Sequence, residues 1–104
     1  MSEPEDIVAT LPPMHPGEML REEFMLPLGL TPGKIARACL VPRTRIERIV
    51  REELGISADT ALRLARFFNT TPEFWMNLQK RYELLTAELQ AYKDIANIQI
   101  FEAV

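Results

Sequence analysis

One cysteine, one histidine and four glycines are spread over 104 residues, and each scarcity excludes a class of protein. Cys39 alone closes no internal disulfide, which suits a reducing compartment and rules out a disulfide scaffold. A single histidine beside a single cysteine leaves too few donors for a zinc centre. Four glycines are too few for a phosphate-cradling loop of the usual kind. No apolar run approaches the ~20 residues that span a bilayer. The opening Met1-Ser2-Glu3-Pro4-Glu5-Asp6 is acidic where a secretory signal would be basic. The expectation is a cytoplasmic protein with no metal, cofactor, membrane partner or small-molecule ligand.

What is present is ordinary in amount and unusual in arrangement. Hydrophobic residues make up 47% and charged residues 26%, close to the average of soluble domains, so one core can form from one domain-sized chain. The net charge is −3. Between Thr31 and Arg51, however, Lys34, Arg37, Arg43, Arg45, Arg48 and Arg51 face only Glu47, a local net of +5 that leaves −8 for the remainder. An acidic body around one basic segment presents a local positive field whatever its total. A solvated helix face is the plain alternative for that segment.

Residues 1–14, with Pro4, Pro12 and Pro13, read as an extended arm. A domain is expected over 15–91 and a tail over 92–104. Pro16 opens a first helix with Glu18 in its first turn; Met19, Leu20, Glu23 and Phe24 mark its inner stripe, and Pro27 with Gly29 ends it. Thr31 caps a second helix beginning at Pro32, with Ile35, Ala36 and Cys39 on one face. After a break at Leu40-Val41, Pro42 opens a third helix through Arg51, with Ile46, Ile49 and Val50 as its apolar stripe. At 100° per residue the far side carries Thr44, Arg48 and Arg51, with Arg43, Arg45 and Glu47 on the flanks. Ser57 caps a fourth helix whose stripe is Ala61, Leu62, Leu64, Ala65 and Phe68. Thr71 caps a fifth from Pro72 to about Ala91, along which Phe74, Trp75, Leu78, Tyr82, Leu85 and Leu89 recur. Ile98-Gln99-Ile100 alternates as a short C-terminal strand would. The fold expected is all-α, five helices around one core.

Two short helices joined by a tight turn, about residues 32–51, have the layout of a helix-turn-helix. Ala36 is small where the helices cross, and Ile46 and Ile49 lock the second helix down. Such a unit presents its second helix to a major groove about 12 Å wide. Arg43, Thr44, Arg45 and Arg48 are then the candidates for base readout, since arginine pairs bidentately with guanine and the threonine methyl touches thymine. Thr31, Lys34, Arg37 and Arg51 are the candidates for phosphate contacts.

The stretch His15-Pro16-Gly17-Glu18-Met19-Leu20-Arg21-Glu22-Glu23-Phe24 resembles the opening of HigA-type antitoxins, the VapI group, within the Cro/C1 (XRE), lambda-repressor-like helix-turn-helix class. Val41-Pro42-Arg43-Thr44-Arg45-Ile46 resembles their recognition-helix start. The blocks from Ser57 to Phe68 and from Thr71 to Gln79 are similar to theirs as well, so the likeness spans roughly His15 to Leu89. The resemblance implies an antitoxin that binds double-stranded operator DNA as a homodimer and represses its own operon. It also implies a partner, a HigB-type toxin that cleaves mRNA at the ribosome. Three positions depart from the class pattern. Leu40 stands where the turn prefers glycine, so a turn without its left-handed residue is expected. Pro32 stands where glutamine often touches the DNA backbone, which leaves that contact to main-chain N–H groups or Lys34. Glu52-Glu53 stands where glycine and a basic residue are usual, and two carboxylates there repel phosphate.

No reaction centre emerges. His15 before Pro16-Gly17 reads as a helix-start residue and Cys39 as a small buried hydrophobe. Glu22-Glu23 and Glu52-Glu53 point about 100° apart rather than at one proton. Phe67, Phe68, Phe74 and Trp75 read as core, with some left to bury against a second copy. Two alternatives stay open: a solitary repressor of the same class, and a protein-interaction module whose basic helix binds an acidic partner.

Overall fold

The computed structural model describes residues 13–102; the expectation of an extended arm over 1–14 falls almost wholly outside them. Five helices and no strand are found among the described residues. The first, α1, is continuous through three registers: α-helical Pro16–Met19, π-helical Leu20–Met25 and α-helical Leu26–Leu28. The others are α2 (Pro32–Cys39), α3 (Arg43–Val50), α4 (Ala58–Phe68) and α5 (Pro72–Ala96).

Each start obeys capping chemistry. Thr31, Ser57 and Thr71 accept the N–H groups of Lys34, Thr60 and Phe74, pairing donors that a helix start leaves orphaned. Pro16, Pro32 and Pro72 follow their caps, where the missing N–H is not needed. His15 caps α1 with its ring: Nδ1 accepts the Gly17 N–H at 2.9 Å. Pro42, expected as the first residue of the third helix, is its extended cap instead, and Arg51 closes the last turn.

α1 corrects the sequence reading in two ways. It ends at Gly29 as expected, with φ +64°, but Pro27 takes no part in stopping it and lies within the helix. In the π register Leu26 donates to the Arg21 carbonyl, five residues back, and the opened turn accommodates the proline ring. The same register rotates the buried face. Leu20 and Met25, five residues apart, are both buried, a spacing that an α-helical period would not put on one side.

The core is one cluster built on Leu20, Ile35, Ile46, Ile49, Leu64 and Trp75, each with no solvent exposure. Trp75 stacks among Phe24, Phe68 and Phe74 with ring centroids 5.0–6.1 Å away and donates its indole N–H to Thr70 Oγ1 at 2.9 Å. Phe67, expected in the core, is exposed, as is Leu62, because both lie on the outer face of α4. Cys39 is buried as expected; desolvation pushes its thiol up, away from the reactive thiolate.

α5 runs past the expected Ala91 to Ala96, and its distal half leaves the core. Leu84, Leu89, Tyr92 and Ile95 are exposed there, followed by Ile98, Ile100 and Phe101. The strand expected at Ile98–Ile100 does not form: no neighbouring strand offers it a ladder. No described helix is long and apolar enough to cross a membrane.

His15 is 4% exposed and meets Tyr82 of α5 edge-on at 4.8 Å. Burial holds its imidazole below the ordinary histidine value; Glu52 opposes that and Arg21 adds to it. Protonation would also remove the acceptor that caps α1. The unfolded chain therefore takes up a proton that the folded chain resists, and stability should fall as pH drops below about 6.5. The slope from this one group is at most about 1.4 kcal/mol per pH unit. Urea unfolding between pH 7.5 and 5 measures it, and His15→Asn, which keeps a capping acceptor, should remove it.

Candidate nucleic-acid interface

Helices α2 and α3 form the expected helix-turn-helix. Ala36, 2% exposed, is buried at their crossing, and Ile46 and Ile49 anchor α3 from below. The turn closes with Val41 donating to the Ala36 carbonyl at 3.0 Å around Leu40, which sits at φ +60°, ψ +45°. Contrary to the expectation of a turn without a left-handed residue, Leu40 supplies that residue itself, 83% exposed.

With the isoleucines inward, Thr44, Arg48 and Arg51 are exposed, as are Arg43, Thr31, Lys34 and Arg37. A Cβ built on Gly33 would lie 3.8 Å from the Arg43 side chain. The N-terminal turn of α2, with Thr31 and Lys34, therefore lies beside the N-terminal turn of α3, and both helix dipoles present their positive ends on that side. Arg51 is at the other end of α3, about 12 Å along the axis. Arg43 is held by Glu47 one turn on, Nε to Oε2 at 2.9 Å, with its side chain 72% exposed; an exposed pair of this spacing is worth about 0.3–0.5 kcal/mol and opens easily. Among the described residues, Lys34, Arg37, Arg48 and Arg51 make no ion pair. Arg45 differs: it is half-buried and its Nη1 meets Asp59 Oδ2 of α4 at 2.6 Å.

Four residues that the sequence reading passed over hold this surface in place. Arg21 of α1 donates Nη1 to the Val50 carbonyl at 2.6 Å and Nη2 to Glu52 at 3.2 Å, which closes the C-terminus of α3. Gln79 of α5, buried, accepts the Ile56 N–H at 2.7 Å and donates to Glu83 at 2.7 Å, so the loop after α3 is sealed onto α5. Asp59 and Arg63 of α4 complete the set. Asp59 binds Arg63 Nε at 2.9 Å, and Arg63 Nη1 donates to the carbonyls of Cys39 and Leu40 at 2.9 and 3.2 Å. Gly17 completes the bracing from α1, because a Cβ there would collide with the Ile49 carbonyl oxygen. Only polar type and helical phase pointed to Arg21, Gln79, Asp59 and Arg63, and neither names a partner 14–31 residues away.

The helix-turn-helix family HTH_3 matches residues 20–75, which contain this whole unit. Virulence-associated protein I of Dichelobacter nodosus is 50% identical over 78 residues, 75% of this chain and 72% of that protein. The chain belongs to the Cro/C1-type helix-turn-helix family, in the group of the HigA antitoxins. Antitoxin HigA-1 of Vibrio cholerae is 36% identical over 72 residues, covering 69% of this chain and 68% of its own. The HigA antitoxin of Pseudomonas aeruginosa, solved with the higBA promoter, superposes with a TM-score of 0.83 at 46% identity, over 86% of this chain and 99% of that one.

The departures of this HigA-group chain from the class pattern have local explanations. Glu52 takes the left-handed position, φ +65°, after α3, and Glu53 and Glu52 donate to the carbonyls of Arg48 and Ile49 at 2.8 and 2.9 Å. That is the hydrogen-bond pattern of a Schellman cap, with the Glu52 carboxylate neutralised by Arg21 rather than left bare. At Pro32 the start of α2 is capped by the Thr31 hydroxyl, which takes the Lys34 N–H at 3.2 Å, so that main-chain donor is already paired and the exposed Lys34 side chain remains. Leu40 bears a penalty of about 1–2 kcal/mol for its left-handed backbone and buries little in return. Leu40→Gly should therefore stabilise the fold by about 1 kcal/mol in urea titrations, even after glycine's own entropy is counted; a loss of stability would mean that the leucine side chain packs.

Proposed function

We propose that this HigA-group protein is an antitoxin that represses its own operon as a homodimer. The observation that carries this reading is the division of α3 into a solvent-free isoleucine edge and an exposed cationic edge, beside the start of α2. Arg43, Thr44 and Arg48 enter the major groove and read base edges. Thr31 and Lys34, flanked by Arg37, grip the phosphates next to Arg43, and Arg51 meets phosphate from the far end of α3. Relatives solved with promoter or operator DNA support the reading. The antitoxin part is supported by the relatives' names, with a HigB-type mRNA endonuclease as the partner to be neutralised; co-purification with such a toxin encoded beside the gene tests it.

Arg48→Ala should lose about 1–3 kcal/mol of binding on the DNA upstream of the gene and little on random duplex. Lys34→Ala should weaken both alike and flatten the salt slope by about 0.9. Anisotropy titrations over a salt series measure both, and equal losses on the two DNAs for Arg48→Ala would remove it from base reading.

The second copy is argued from the distal half of α5 and the segment after it, where seven large apolar side chains from Leu84 to Phe101 are exposed. So much exposed apolar surface on one projecting element is what an obligate partner face looks like. Two copies would set two recognition helices about 34–36 Å apart, one turn of DNA, on a near-palindromic site. Tyr92→Glu with Ile95→Glu should turn a sedimenting dimer into a monomer and weaken operator binding. A wild-type monomer at micromolar concentration would overturn the dimer.

A further inference from the structure

We infer that Asp59 is a positioning residue that withdraws Arg45 from the nucleic-acid surface, so that Arg43, Thr44 and Arg48 alone read the groove; this rests on the DNA-binding reading above. Three arginines lie on α3, and Asp59 engages one of them. Arg45 Nη1 stands 2.6 Å from Asp59 Oδ2, at the short end of charge-assisted contacts. The same oxygen takes Arg63 Nε at 2.9 Å, and Arg63 passes the restraint on to the Cys39 and Leu40 carbonyls, which a helix end leaves without intrahelical partners. One carboxylate thereby ties together the start of α3, the first turn of α4 and the turn between α2 and α3.

The contrast with Arg43 supports the assignment. Arg43 pairs within its own helix and its side chain is 72% exposed, whereas the Arg45 side chain is 33% exposed and its partner belongs to another element. Asp59 also sits in the first turn of α4, where the helix dipole favours a carboxylate. Its two guanidinium partners, Arg45 first and then Arg63, hold its carboxyl below the usual carboxylate range, so it stays ionised at neutral pH. Binding to a polyanion scales with the charges that replace counterions. Arg45, held across to another helix by a carboxylate that also grips Arg63, adds little to that count, whereas Arg43, paired within its own helix with a side chain 72% exposed, is free to add to it. Asp59 thus subtracts one cation from sequence-blind attraction without touching the residues that read bases, which keeps the ratio of specific to random binding high.

Anisotropy salt series on the upstream DNA and on random duplex of equal length test this with the wild type, Asp59→Asn, Arg45→Ala and the double variant. Asp59→Asn should steepen the salt slope on random duplex by about 0.9 and lower the operator-to-random ratio. Arg45→Ala alone should keep the wild-type slope, and the double variant should return to it. The assignment is overturned by an unchanged slope in Asp59→Asn, by equal steepening in the Arg45→Ala background, or by a flattened slope in Arg45→Ala. Arg45→Ala probes the pair from the other side and decides the matter even where Asp59→Asn melts below assay temperature. Wild-type protein without salt-dependent duplex binding overturns the DNA-binding reading and this inference together; wild-type binding with the outcomes just named overturns this inference alone.

Discussion

The rotation of α3 about its own axis is the constraint on which the rest depends. Ile46 and Ile49 are each without solvent exposure, and burying such a side chain is worth about 1.5–3 kcal/mol. Turning the helix by one residue, 100°, would expose an isoleucine and drive an arginine or Glu47 into the core. That penalty is larger than any surface ion pair can offset. The cationic edge faces outward because the other edge has nowhere else to go. Gly17 reinforces this from α1, since its missing side chain lets backbone lie directly on the Ile49 carbonyl.

Around that constraint the chain ends its helices economically and with little glycine. Four helix ends use a left-handed residue, at Gly29, Leu40, Glu52 and Asn69, and only one of these is glycine. Asparagine tolerates that conformation and glycine favours it. Leucine and glutamate are held there by what surrounds them. At Leu40 the neighbouring carbonyls are fastened by Arg63; at Glu52 the side chain and the nearby Val50 carbonyl are fastened by Arg21. The central turn of the helix-turn-helix and its C-terminal end are thus each stapled by an arginine from outside it, one from α4 and one from α1.

Much of this was legible in the residues. Hydroxyl-proline starts at Thr31 and Thr71, the stripe of Ile46 and Ile49, and the run of exposed arginines follow from local rules with a 3.6-residue period. The π register of α1 was not legible, because Leu20 and Met25 share a face only when the period lengthens. Nor was the exposure of Phe67, because the stripe of α4 says which residues sit together and not how far the core extends around the helix. The alternation at Ile98–Ile100 suggested a strand, but alternation without a partner strand specifies nothing.

By itself the sequence determined where the helices start, which face of each is apolar, and that one short segment carries the positive charge. These are nearest-neighbour properties, decided within one or two turns of chain. The tertiary structure alone decided which charges are spoken for. Arg45 and Arg48 are the same residue type three positions apart on one helix, yet one is fastened to Asp59 and the other is exposed to solvent. The difference arises because α4 begins beside one of them, a proximity made by packing across a loop and invisible to any local pattern.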